Sequence, residues 1–203
     1  MPGRRLLHEE QSSGPASAAD IEAALMLRAA GGDRDAYAAL VRRLLPRVLA
    51  VTRRMLGSEA LAEEAAQEAL LRLWTNAASY EPAKARVSTW LTRIAANVCL
   101  DRLRRKGEEP WPERFDVALP ANQERDLMQD QVAAKVNAAL QSLPERQRLA
   151  LTLCHYEEMS MTEAALVMET TAEAIESLLG RSRRSLRRLL EDEWRSLLVG
   201  DTD

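Results

Sequence analysis

The chain has 203 residues, 46% of them hydrophobic, which is enough for one mid-sized or two small packed cores and excludes a disordered chain. Four Trp, three Tyr and one Phe set against abundant Ala, Leu, Arg and Glu give the composition of helices rather than sheets. A formal net charge of −3 excludes binding of nucleic acid by bulk positive charge, so any phosphate-binding surface has to come from local segregation.

Residues 1–19 are rich in Ser, Ala, Gly and Pro and read as a flexible tail. Arg4 and Arg5 lie there without the apolar run of a secretory signal. No stretch of about 18 apolar residues occurs, so a soluble, cytoplasmic chain without membrane insertion is expected. Asp20 can cap a short helix ending at Gly31-Gly32. Asp33 can cap the next, whose apolar stripe is Tyr37, Leu40, Val41, Leu44, Leu45, Val48 and Val51, with a kink expected at Pro46. Gly57-Ser58 ends that helix and starts another to about Trp74. After a loop over residues 76–86, Ser88 can cap a helix running to Lys106, which closes a first domain over 20–106.

Residues 107–126 hold Pro110, Pro112, Pro120 and many acids without a period, and read as a flexible linker. A second domain, 127–198, opens with Val132, Val136, Ala139, Leu140 and Leu143 on one face of a helix stopped by Pro144, and a further helix runs to Tyr156. Ser160 and Glu163 form a capping box for a helix through Met168. A break at Glu169, Thr170 and Thr171 follows, and another helix runs to about Leu198. Two short helices across a tight turn spell helix-turn-helix. The fold class expected is therefore all-α, with two small helical domains joined by a flexible linker.

Charge is segregated along these helices. Arg93, Arg102, Arg104, Arg105 and Lys106 form one basic block opposed only by Asp101, and Arg181, Arg183, Arg184, Arg187 and Arg188 form a second without an acid inside it. Two basic helix ends suit two separate phosphate-backbone contacts, or equally two solvated helix faces. In AEEAAQEALLRLW, residues 62–74, Ala62, Ala65, Ala66, Ala69, Leu70 and Leu73 face one way, while Glu63, Glu64, Gln67, Glu68, Leu71 and Arg72 face the other. An apolar Leu71 among acids marks either an ordinary amphipathic surface or a protein-docking face.

In STWLTRIAANVCLDRLRRK, residues 88–106, Arg93, Asn97, Leu100 and Arg104 share a stripe. An amide able to bond a base edge between arginines suited to phosphate is plausible DNA-reading chemistry. Trp90 can stack on a base or anchor a core. The preceding loop, Tyr80 to Val87, with Lys84 and Arg86, can hold an extruded base. In the helix-turn-helix, Thr171, Glu173, Ala174, Glu176, Ser177 and Arg181 are the candidates for the major groove. There Glu can accept from cytosine while Arg181, Arg183 and Arg184 hold the backbone.

Catalytic constellations are missing. His8 and His155 are far apart, no Gly-rich phosphate loop occurs, and Cys99 and Cys154 lack metal-ligand spacing and read as buried, unpaired thiols. No enzyme activity, cofactor or metal is expected.

The blocks AAGGDRDAYAALVRRLLPRV, AEEAAQEALLRLW, STWLTRIAANVCLDRLRR and SLPERQRLALTLCHYEEMSMTEAALVMETTAEAIESLLGRSRRSLRRLL resemble, in order and spacing, successive blocks of the extracytoplasmic-function sigma factors, over roughly residues 20–195. The resemblance implies a monomeric initiation factor whose partners are core RNA polymerase, promoter DNA and an anti-sigma factor, acting in a stress response. The polymerase contacts would be the clamp helices of the largest subunit and the flap of the second. It implies that Glu63, Glu64, Gln67, Glu68, Leu71 and Trp74 lie at the polymerase interface. Tyr80, Lys84, Arg86, Trp90, Arg93, Asn97 and Arg104 would engage the opened minus-ten element, and the helix from Thr171 would read the minus-thirty-five element. The chain departs from the family pattern in having Glu169 where a turn Gly is common, and Glu176 and Leu178 in the recognition helix. A decoy that binds an anti-sigma factor, or a conventional helix-turn-helix regulator, are the alternatives.

Overall fold

In the computed structural model, which describes residues 17–108 and 135–199, several helices start where a short polar side chain accepts from backbone N–H groups that have no partner inside the helix. The first, α1 (Ala18–Ala30), is capped by Ser17. Asp20 closes a capping box from the third helical position, so the cap lies three residues before the one expected. Asp33 caps α2 (Arg34–Leu56) through a 2.9 Å bond from the Ala36 N–H, as expected. The helix continues through Pro46 to Gly57, whose φ of +66° ends it in the left-handed region. Ser58 then starts α3 (Glu59–Thr75). A single 3-10 turn, Ala77–Ser79, leads toward α4 (Val87–Glu108). Ser88 lies inside the first turn of α4, where its carbonyl accepts from the Thr92 hydroxyl, so it is not the cap. The tail before residue 17 and the linker beyond residue 108 lie outside the described residues.

The C-terminal helices begin with α5, described over 135–141, which stops before Pro144. Helix α6 (Glu145–Leu151) widens into a π-helical turn, Thr152–Tyr156. The capping box expected at Ser160 and Glu163 opens α7 (Met161–Val167). Thr171 accepts from the Ala174 N–H at the start of α8 (Ala172–Val199). No strand occurs among the described residues.

Packing follows the apolar stripes. Met26, Leu40, Leu44, Leu73 and Leu91 build a core within α1–α4. The four alanines that α3 buries, Ala62, Ala65, Ala66 and Ala69, let it approach its neighbours closely. A second core is shared between the two halves: Val51, Met55 and Cys99 join Leu140, Leu149, Leu153 and Ile175.

Polar links reinforce that junction at the C-terminus of α2. The Gln141 amide donates to the Arg54 carbonyl at 2.8 Å, and the Arg148 guanidinium donates to the Met55 carbonyl. Glu157, its side chain 8% exposed, pairs with Arg47 at 3.1 Å and Arg54 at 3.5 Å.

Gly57 is required here twice over, since a Cβ at this residue would stand 2.7 Å from Gln141 Cδ. Gly57→Ala is expected to cost about 2 kcal/mol, from left-handed strain and from displacing Gln141. Adding Gln141→Ala should recover none of the strain but relieve the clash. Denaturant midpoints of the single and double variants measure both parts, and an unchanged midpoint for Gly57→Ala would contradict this reading.

Candidate nucleic-acid interface

Three surfaces carry the residues singled out in the sequence. On α3 the inner and outer faces separate as the periodicity predicts: the six expected inward residues are all buried, while Glu63, Glu64 and Gln67 are exposed and Leu71 is 61% exposed. Glu68 is half-buried because Arg102 of α4 reaches across to it at 3.0 Å and to Glu64 at 2.9 Å. The Arg102 hydrogen bond holds the Glu68 carboxyl below the ordinary carboxylate range. Arg102 is thus occupied in joining α3 to α4, which corrects its place in a phosphate-facing block. Trp74 is half-buried with its ring 4.7 Å from that of Tyr37, whose hydroxyl donates to the Leu70 carbonyl.

The second surface is a cavity of about 450 Å³ at the start of α4, walled by Tyr80, Lys84, Trp90, Arg93, Leu166 and Val167 among others. Tyr80 and Trp90 stack at 5.5 Å, and Tyr80 is fixed by its hydroxyl donating to the Ala85 carbonyl. Trp90 packs against the N-terminal core, as one of the two readings had it, and it also lines the cavity. Lys84 pairs with Glu81 at 2.8 Å on the exposed rim, and Arg86 is exposed beside it. Along α4, Arg93, Asn97 and Arg104 are exposed, with Arg104 3.3 Å from Asp101. Leu100 instead turns toward the shared core, so the predicted stripe loses its apolar member. Arg93 pairs with Glu169. The cavity, with stacked rings and two cations, suits an unstacked base and its phosphate.

The third surface is the N-terminal half of α8. Ile175, Leu179 and Ser182 are buried, the Ser182 hydroxyl donating to the Gln147 carbonyl of α6 at 3.1 Å. Thr171, Glu173, Glu176, Ser177, Arg181, Arg183 and Arg184 are all exposed, and the six that follow Thr171 fall within about half of the helix circumference. They lie at the start of and along the second helix of the pair α7–α8, the place from which a helix-turn-helix can reach a groove.

The family models described as Sigma-70 region 2 and Sigma-70, region 4 match residues 40–109 and 133–186. The ECF RNA polymerase sigma factor SigM of Mycobacterium tuberculosis is 32% identical over 169 residues, covering 83% of this chain and 84% of that protein. This chain belongs to the extracytoplasmic-function sigma factors. The ECF RNA polymerase sigma factor SigW of Bacillus subtilis is 29% identical over 177 residues, 79% of this chain and 92% of that protein. The solved structure of CnrH in complex with the cytosolic domain of CnrY is similar with a TM-score of 0.66 at 26% identity, covering 85% of this chain and 99% of that one. The sigma factor directs RNA polymerase to promoters in transcription initiation.

Sequence reasoning missed the long-range contacts within and between the halves of this sigma factor. The pairing of Arg102 with Glu64 and Glu68 was visible only as opposite charge on two helices, and Leu166 and Val167 gave no sign that they would wall a cavity beneath Trp90. Cys99 is buried, and burial pushes its thiol up to about 12. Cys154 is half-buried rather than fully buried. Among the described residues no cluster of His, Cys, Asp or Glu could hold a metal, and no helix is long and apolar enough to cross a membrane.

Proposed function

We propose that the sigma factor binds core polymerase through α3, melts and holds the minus-ten element at the cavity below α4, and reads the minus-thirty-five element with α8. The observation that carries this reading is the cavity itself, since stacked Tyr80 and Trp90 stand beside Lys84 and Arg93, joining aromatic faces to cations able to meet a phosphate. In this assignment residues 20–106 form the polymerase and minus-ten domain, 107–126 the linker and 127–198 the minus-thirty-five domain. Glu63, Glu64, Gln67, Glu68, Leu71 and Trp74 meet the clamp helices of the largest subunit, and the second domain meets the flap of the second subunit. Tyr80, Lys84, Arg86, Trp90, Arg93, Asn97 and Arg104 hold the opened strand. An anti-sigma factor holds the protein inactive until stress releases it. The likeness to CnrH, solved with a cytosolic domain of another protein bound, supports control by a protein partner.

Mechanistically, α8 supplies two kinds of contact. Glu173 and Glu176 can accept from cytosine amino groups in the major groove, and Arg181, Arg183 and Arg184 fix the register on phosphates. Replacing these three arginines with Gln is expected to flatten the dependence of duplex binding on log salt concentration by about 0.9 for each phosphate that is no longer neutralised. The test is binding of the minus-thirty-five duplex by polymerase holoenzyme across a salt series. An unchanged slope would remove α8 from the DNA interface.

A further inference from the structure

The two DNA-facing surfaces differ in how the rest of the chain treats them. The seven candidates on α8 are exposed, whereas the strand cavity has a wall from the other half: Leu166 and Val167 of α7 line it together with Tyr80 and Trp90. From the turn that follows α7, Glu169 reaches Arg93 on the cavity rim and pairs with its guanidinium. Glu169 does so from a backbone φ of +50°, a region that side-chain-bearing residues enter at a cost of roughly 1–2 kcal/mol and Gly enters without it. A Glu in that place is disfavoured by the turn and makes sense through what its carboxylate touches.

We infer that Glu169 is an internal stand-in for a strand phosphate: by occupying Arg93 while α7 walls the base cavity, it makes docking of the C-terminal half and binding of single-stranded DNA competitive. A carboxylate and a phosphate oxygen ask the same of a guanidinium, two N–H donors in a planar fork, so Arg93 cannot serve both fully. The docked chain therefore keeps its duplex-reading helix open and its strand site covered. Duplex contact precedes strand capture, and capture requires α7 to leave. Polar links from Gln141, Arg148 and Glu157 to α2 anchor the helices that precede α7 on the N-terminal half. The inference rests on the assignment of Arg93 and the cavity to the opened strand.

The test uses the full-length chain and a labelled single-stranded DNA of about 12 nucleotides. Glu169→Gly and Glu169→Gln should each tighten strand binding about two- to fivefold at low salt, the size set by an ion pair between half-exposed partners. Glu158 is a matched control, because it is also exposed and also has a positive φ of 53° but has no place at the cavity. Glu158→Gln should leave strand affinity unchanged, separating the latch from a general loss of negative charge. Spin labels on exposed Ala24 and Ser142, in a Cys154→Ala background, should move apart when strand is added. If Glu169 variants bind strand as the parent does, or the labels keep their separation in saturating strand, the latch is refuted. Arg93→Gln in the Glu169→Gly background distinguishes the underlying assignment. Weaker binding there supports Arg93 as a strand contact whatever Glu169 does, and unchanged binding overturns both the assignment and the latch built on it.

Discussion

Replacing Arg148 with Met should lower the unfolding free energy by about 3 kcal/mol. Arg148 is 5% exposed, and its guanidinium donates to four oxygens, none of them a carboxylate: Met55 O, Gln141 Oε1, Gln141 O and Leu143 O. Burial pulls its pKa down, yet the charge is held where α2 ends and unpaired carbonyls collect the negative end of the helix dipole. Met preserves the apolar stem but leaves several buried oxygens without donors, which is costlier than the loss of the hydrogen bonds themselves. Arg148→Lys should fall between, because one ammonium cannot reach both helices with the spread of a guanidinium. Chemical denaturation of the three proteins measures this, and a loss under about 1 kcal/mol for Met would show that the guanidinium is not holding the junction.

The largest effect on binding is expected at Leu71. Its side chain is 61% exposed on a face of acids and amide, so Leu71→Asp should leave folding intact. An exposed apolar residue at the centre of a docking face behaves as an anchor, and its loss should weaken the complex with core polymerase by about 2 kcal/mol, close to a thirtyfold rise in Kd. Titration of labelled core polymerase with parent and variant reads the change directly. Equal affinities would return α3 to the status of an ordinary amphipathic surface.

Much of this architecture could be read from short-range chemistry. Asp33, Gly57, Ser58 and the Ser160–Glu163 box mark helix ends because caps and left-handed stops depend on residues within one turn. The inner face of α3 was legible for the same reason, since helical periodicity puts Ala62, Ala65, Ala66 and Ala69 on one side whatever lies opposite. Where two polar residues competed for one cap, at Ser17 and Asp20, the pattern gave the wrong one, because Asp20 serves as the third residue of the box. Long-range pairings were not legible. Nothing local distinguishes Arg102, committed to Glu64 and Glu68, from Arg104 two residues on. The insertion of Arg148 against the end of α2 joins residues 93 apart in sequence. Glu169 was visible as an unusual turn residue, but its partner Arg93 emerges only when α7 lies beside α4.

Reconstituted transcription tests the central claim most directly: the purified chain is added to bacterial core polymerase on sheared genomic DNA, and transcript starts are mapped by sequencing. A sigma factor of this design predicts discrete starts that share two upstream elements and disappear with Leu71→Asp. Folded, inhibitor-free protein that neither binds the polymerase nor produces discrete starts would contradict it.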